Sequence, residues 1–297
     1  MRKMYFIGVS TGASSIHRVF PKWARLAGVD DAVLVGADIP LGGSPEQYRA
    51  VVSRIREDPQ AMGALVTTHK VQIYTHARDL FTDFDADAQT LGEVSCIVHR
   101  GERLTGLAID TLTSALALRD IIGSAPFRGH ALILGAGGAG LALAVHLFRE
   151  HQPARVTLTD ISAARLDQVR GLTPAECRLV SAPEDHDRLL EHLPPGSLIV
   201  NATGAGKDRP GSPITSRAHF PKDAIAWDFN YRGELLFLEY ARAQGARVVD
   251  GWDYFLHGWS QIMARVLGFK LRPELFSAMR RIAEATGQGG YLAKTQK

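Results

Sequence analysis

The sequence predicts an α/β protein of two domains, the first with a mostly parallel sheet and the second doubly wound, with C-terminal helices packing back on the first. Three observations predict it. Strand-like and helix-like segments alternate in two separate series, the pattern of βαβ units. A dense glycine turn near position 135 follows a short apolar strand and opens an apolar helix. The chain has 297 residues, and single cores rarely grow past about 250–300 residues before splitting.

In the first series MYFIGVS reads as a strand, 14–27 as a helix, AVLVG at 32–36 as a strand, 46–57 as a helix and GALVT at 63–67 as a strand. A polar, acidic helical stretch follows near 70–90. EVSCIVH (93–99) and RLTGLAI (103–109) flank Arg100-Gly101-Glu102, so they form a hairpin that closes the first sheet. Proline and glycine cluster in SAPFRG at 124–129, which marks a linker. The second series runs HALILG, a helix after Gly138, RVTLTD (155–160), a helix from Ser162, RLVSA, another helix, SLIVNAT (197–203) and AIAWDF (224–229). That order is doubly wound. After ARVVD at 246–250 the chain turns helical through Trp252–Leu267 and again from Pro273 to about Ala285. The expected domains are therefore 1–120 with 251–297, and 121–250. The final GQGGYLAKTQK is expected to fray.

Composition narrows the function. Apolar residues make up 45% and charged residues 22%, which excludes a disordered chain. Lys plus Arg exceed Asp plus Glu by 34 to 31 and are scattered, so no nucleic-acid partner is expected. The apolar run of MRKMYFIGVS breaks at Gly8 without a cleavage site, so it reads as a strand rather than a leader. Cys96 and Cys177 stand far apart without metal-ligand spacing, so neither a disulfide framework nor a metal site is expected, and a cytoplasmic location fits. The stretch ALILGAGGAGLALAVHLF (131–148) has the length of a membrane span, but its glycines would weaken a helix there. It divides into strand, turn and helix, and no membrane partner is expected. The assembly is left open, with a homodimer compatible.

The glycine turn carries the first functional signal. Gly135-Ala136-Gly137-Gly138-Ala139-Gly140 satisfies G-x-G-x-x-G in the strand–turn–helix context that gives the motif its meaning. Gly135 permits the tight turn, Gly137 lets a pyrophosphate approach the backbone, and Gly140 lets the helix close on the sheet. The helix start then offers free N–H groups and a positive dipole end to phosphates. These are the features of a Rossmann domain binding a nicotinamide dinucleotide. RVTLTD ends at Asp160, twenty residues past Gly140, where a carboxylate accepts both ribose hydroxyls of NAD and repels the 2′-phosphate of NADP. NAD is the expected cofactor. Arg165, five residues on, reads as a solvated helix residue. Asn201-Ala202-Thr203 ends an apolar strand where a loop passes near the nicotinamide ribose.

In this order of parts the sequence resembles the shikimate/quinate dehydrogenase family over nearly its whole length. GALVTTHK, ending at Lys70, is similar to the family's N-V-T-x-P-x-K segment, and GLAID, ending at Asp110, to its G-x-N-T-D segment. Asp228-Phe229-Asn230-Tyr231 resembles D-x-x-Y, and Gly251 opens a late helix. The resemblance implies that Lys70 and Asp110 are the catalytic lysine and aspartate. It implies substrate contacts from Ser14 and Ser15 in an echo of S-x-S-P, from Thr67, Ser95 and Tyr231, and from Gln261 if it replaces a family glutamine that aligns with Gly258. Leu65, Ser95-Cys96 and Ala108-Ile109 stand where the family has polar residues. These departures imply a substrate other than shikimate, a related cyclic hydroxy acid or cyclitol.

Hydride transfer to a ketone leaves an alkoxide that needs a proton, and a positioned lysine can supply it. Taken alone, Lys70 reads as a solvated helix lysine and Asp110 as the cap of a helix starting at Thr111. Taken with the resemblance, the two form a dyad that handles the substrate hydroxyl. His17 and His69 read as surface or capping histidines. The activity expected is therefore NAD-dependent interconversion of a secondary alcohol and a ketone. The alternative is a non-catalytic sensor of NAD(H) or of a shikimate-like ligand.

Overall fold

The computed structural model describes residues 1–207 and 209–286, so the expected fraying over 287–297 lies outside the described residues. Among the described residues the chain divides into two compact units, Met1–Asp110 with 256–286, and Thr111–Phe255.

The first unit holds β1 (Arg2–Gly8), α1 (Ile16–Leu26), β2 (Ala32–Asp38), α2 (Pro45–Glu57), β3 (Ala61–Val66), α3 (Lys70–Ala77), β4 (Asp83–Phe84), α4 (Ala86–Leu91), β5 (Cys96–Arg100) and β6 (Arg103–Leu107). Its sheet runs β2-β1-β3-β5-β6-β4. β1 lies parallel to β2 and β3, and its continuous buried run Met4–Ile7 is the signature of a strand covered on both faces. α1 buries Ile16, Val19, Phe20 and Trp23, the spacing of one helical stripe. Pro45 opens α2, and the Gln47 side chain accepts the Ser44 N–H at 2.8 Å, so local sequence sets the helix start.

The stretch expected to be helical near 70–90 is divided. Asp85 caps α4 by accepting the Ala88 N–H at 2.7 Å, while Phe81 and Phe84 pack beside Tyr74 against the core. Between them β4 pairs with β6. The β5–β6 hairpin forms antiparallel as expected, but the edge of the sheet beyond it belongs to β4, not to the hairpin.

Thr111–Phe255 is a Rossmann unit. After α5 (Asp110–Ile122) come β7 (His130–Leu134), α6 (Gly138–Glu150), β8 (Arg155–Asp160), α7 (Ala163–Arg170), β9 (Glu176–Leu179), α8 (Pro183–Leu190), β10 (Leu198–Asn201), β11 (Ile225–Asp228), α9 (Leu236–Ala243) and β12 (Arg247–Val249). The strands pair in parallel in the order β12-β11-β10-β7-β8-β9. The order reverses between β7 and β10, and ligands of such sheets bind outside the carboxyl ends of the strands at that reversal. The unexpected α9 buries Phe237, Leu238 and Ala241 against the β11 side of the sheet. The apolar stretch 131–148 splits into β7, the glycine turn and α6, and no described helix is long and apolar enough to cross a membrane.

α10 (Trp252–Leu267) and α11 (Pro273–Ala285) follow, and 256–286 complete the first unit among the described residues. Trp23 Nε1 donates to the Met279 carbonyl at 2.8 Å. The Arg100 guanidinium donates to the carbonyls of Arg265 and Val266 at 2.9 and 2.8 Å.

Candidate active site

Lys70 and Asp110 each begin a helix just past a strand of the first sheet. β3 ends at Val66, and Thr67 is fixed to β1 by its N–H and its hydroxyl, which both donate to the Ile7 carbonyl, at 3.0 and 3.2 Å. His69 is the N-cap residue of α3 and is buried rather than superficial, its ring in contact with the Ile39 carbonyl at 2.8 Å. Lys70 follows as the first residue of α3.

The turn that delivers Asp110 is pinned from two sides. Ser95 Oγ accepts the Ile109 N–H at 2.7 Å, and Asp85 accepts the Ala108 N–H at 3.2 Å. Asp110 is the first residue of α5 and its carboxylate accepts from Lys70 Nζ. The pair is largely shut from water, with side-chain exposures of 18% and 7%. Burial would lower the lysine pKa, but the carboxylates of Asp110 and Glu93 outweigh it and hold the ammonium above its usual value. Glu93 is fully buried and was missed by sequence reading. Its signal was a charge inserted between a helix-ending glycine and an apolar strand.

The polar groups expected to meet substrate are largely engaged by the protein itself. Ser95 Oγ serves the Ile109 N–H. Ser14 Oγ accepts the Ile16 N–H at 3.4 Å, and Ser15 is buried at the start of α1. Gln261, expected to stand in for a family glutamine, is engaged within its own helix, since its side-chain oxygen accepts from Arg265, one turn along α10, at 2.8 Å. Tyr231 packs edge-on to Trp252 and tilted against Phe255, with ring centroids 5.5 and 4.6 Å apart.

In the second unit the glycine turn has the geometry its sequence requires. Gly135 adopts φ +100°, and a Cβ there would meet the Ala202 carbonyl at 2.8 Å. A Cβ on Gly140 would collide with the Gly135 carbonyl oxygen, whereas one on Gly137 would meet nothing within 4 Å. Gly137 is the N-cap of α6, and Gly138, Ala139 and Gly140 form its first turn. The open space above Gly137 and this helix start fit the pyrophosphate of a dinucleotide.

Asp160 ends β8 with one carboxylate oxygen accepting the Ala136 N–H and the other the Ser162 N–H, both at 3.0 Å. Arg165 is not a solvated helix residue as expected. Its Nε donates to the Ala136 carbonyl at 2.6 Å, and its own N–H donates to the Ser162 Oγ that caps α7, at 3.2 Å. At the end of β10, Ala202 N–H donates to the Leu134 carbonyl at 2.8 Å, so this strand end lies against the glycine turn. Asn201 donates to Asp228 at 2.9 Å and accepts from Thr203 Oγ1 at 2.7 Å. Burial pushes the Asp228 carboxyl up to about 7 against the hydrogen bonds it accepts from the Asn230 N–H and the Asn201 side chain. No group of three or more His, Cys, Asp or Glu side chains placed to hold a metal occurs among the described residues.

These features define a two-unit α/β protein whose second unit has the architecture of a dinucleotide-binding Rossmann domain. No protein-family model matches the chain. It is 31% identical over 220 residues to shikimate dehydrogenase (NADP(+)) of Salinibacter ruber, covering 70% of this chain and 74% of that one. Shikimate 5-dehydrogenase from Thermus thermophilus, in complex with NADP(H) and shikimate, shares the fold with a TM-score of 0.72 and 24% identity, over 95% of this chain and all of the other. Quinate dehydrogenase from Corynebacterium glutamicum, in complex with NAD, does so with a TM-score of 0.73 and 20% identity, over 96% and 99% of the two chains. The chain belongs to the shikimate/quinate dehydrogenase family, a family of oxidoreductases.

Proposed function

We propose that the protein is an NAD-dependent oxidoreductase that interconverts a secondary alcohol and a ketone on a shikimate- or quinate-like cyclic hydroxy acid. The buried Lys70–Asp110 ion pair carries this reading. A lysine drawn out of water against a carboxylate is placed for proton transfer rather than for solubility. Asp110 orients Nζ, and both groups can reach one substrate hydroxyl. In the reducing direction Lys70 Nζ gives a proton to the oxygen as it gains charge, and in the oxidising direction it takes that proton back. The bound dinucleotide supplies the two-electron hydride acceptor or donor.

Asp160 supports NAD. A carboxylate at the end of β8 repels a 2′-phosphate, and its second lone pairs remain available to ribose hydroxyls. The named cofactors of the relatives leave both choices within the family, NADP(+) for the Salinibacter enzyme and NAD in the Corynebacterium complex. Arg165 is the cation nearest in sequence, but its Nε is engaged on the Ala136 carbonyl.

The substrate differs from shikimate in this reading. Leu65, Cys96, Ala108 and Ile109 are buried apolar groups where the family carries polar ones. Each hydrogen bond lost to a substrate weakens binding by roughly 0.5–1.5 kcal/mol. Purified protein assayed with NAD or NADP against quinate, shikimate, aminoshikimate and related cyclitols tests this through the absorbance of the reduced cofactor. NAD is expected to support faster turnover than NADP, and another panel member faster turnover than shikimate. Equal or better use of NADP overturns the role given to Asp160. Shikimate oxidation at about 10⁴ M⁻¹s⁻¹ or above overturns the substrate reading, and no reduced cofactor with any member overturns the enzyme reading.

A further inference from the structure

Glu93 is fully buried, and an ionised carboxylate so placed requires a compensating positive group. It lies between Gly92, which ends α4 in the left-handed conformation, and Val94, whose N–H donates to the Lys70 carbonyl at 3.0 Å. The next residue, Ser95, donates its N–H to the Leu107 carbonyl at 2.9 Å and accepts the Ile109 N–H on its hydroxyl. One short segment therefore ties the start of α3, which carries Lys70, to the turn that carries Asp110.

We propose, on the footing of the dehydrogenase reading, that Glu93 is a positioning residue of the active site, the second carboxylate acting on the Lys70 ammonium and keeping Nζ charged and drawn toward Asp110. Both carboxylates act on the lysine against the effect of its burial. Other ionisable groups nearby are engaged elsewhere. The His69 ring meets the Ile39 carbonyl and the Tyr48 hydroxyl. Asp85 accepts the Ala88 and Ala108 N–H groups, and its charged neighbours are Asp87 and Arg265. The Cys96 thiol, pushed up to about 12 by burial, is neutral. Lys70 is thus a cation shared by Asp110 and Glu93, and removing it takes the same positive charge from both buried carboxyl groups.

Protein carrying lysine labelled with ¹³C at Cε, titrated by NMR without substrate or dinucleotide, reads the Lys70 pKa, with the resonance assigned by its loss in Lys70→Ala. Glu93→Gln is expected to lower that pKa by about one unit or more, and Glu93→Asp to restore most of the shift. A folded Glu93→Gln protein with an unmoved Lys70 titration overturns the proposal. Should Glu93→Gln fold poorly alone, the thermal midpoints of Lys70→Ala and of Lys70→Ala with Glu93→Gln decide. The double variant is expected to melt higher, and an equal or lower midpoint overturns the proposal. Because neither readout uses substrate or cofactor, the two readings fail separately. A lowered Lys70 pKa in a protein that turns over no panel member keeps the charge cluster and removes the dehydrogenase role, while turnover with an unmoved titration does the reverse.

Discussion

A buried lysine paired with Asp110, its charge also favoured by Glu93, stays an ammonium at neutral pH, and this fixes how the site should respond to pH. With its pKa raised, the neutral amine that accepts a proton during alcohol oxidation is scarce near pH 7 and grows about tenfold per pH unit. Oxidation should therefore quicken with pH through at least pH 9, while ketone reduction, which uses the ammonium, should stay flat over that range. An oxidation plateau already reached near pH 7 would show that another group accepts the proton. Lys70→Ala should lower kcat by about 10²–10⁴ with little change in dinucleotide affinity. Asp110→Asn should cost less in kcat if the aspartate mainly orients Nζ, and should raise KM if it also grips the hydroxyl.

Among the elements, the turn between β7 and α6 separates a fold requirement from a binding requirement within six residues. A Cβ on Gly140 collides with the Gly135 carbonyl, whereas Gly137 has open space above it and φ −64°, which any residue can adopt. Gly140→Ala should lower the melting temperature. Gly137→Ala should leave it within about 1–2 °C while weakening dinucleotide binding tenfold or more, since the methyl group takes the space left for a pyrophosphate. Calorimetry with and without NAD checks both, and unchanged affinity in Gly137→Ala would place the phosphates elsewhere. This element was legible in sequence because each glycine answers a local steric demand. β4 was not, because a strand of two residues exists only through its pairing with β6. Neither was the reach of Arg165 to Ala136, since the spacing places a residue on a helix without saying where its side chain ends.

At the scale of the whole molecule, the first unit is completed by chain from the far end of the sequence. The helices Trp252–Leu267 and Pro273–Ala285 were readable because their apolar stripes are long, but what they dock onto was expected only from the general tendency of trailing helices to pack back on a first domain. The contacts that hold them include single polar groups. Arg100, at the end of β5, donates to two carbonyls in the last turn of α10 and also to the Met62 carbonyl at 3.1 Å. A cation there satisfies carbonyls that have no partner within the helix and meets the negative end of its dipole. Hydrogen bonds to a charged group contribute about 1.5–3 kcal/mol each when well formed, and partial exposure of Arg100 reduces that figure. Arg100→Ala should therefore destabilise the first unit by about 1–3 kcal/mol. Arg100→Lys should recover only part of this, since an ammonium cannot span the same carbonyls as a planar fork. Hydrogen exchange locates the effect, which should appear as faster exchange in β5, β6 and the last turns of α10. Unchanged protection in those segments would mean that buried apolar contacts such as Trp259 against Phe6 hold α10 in place without the arginine.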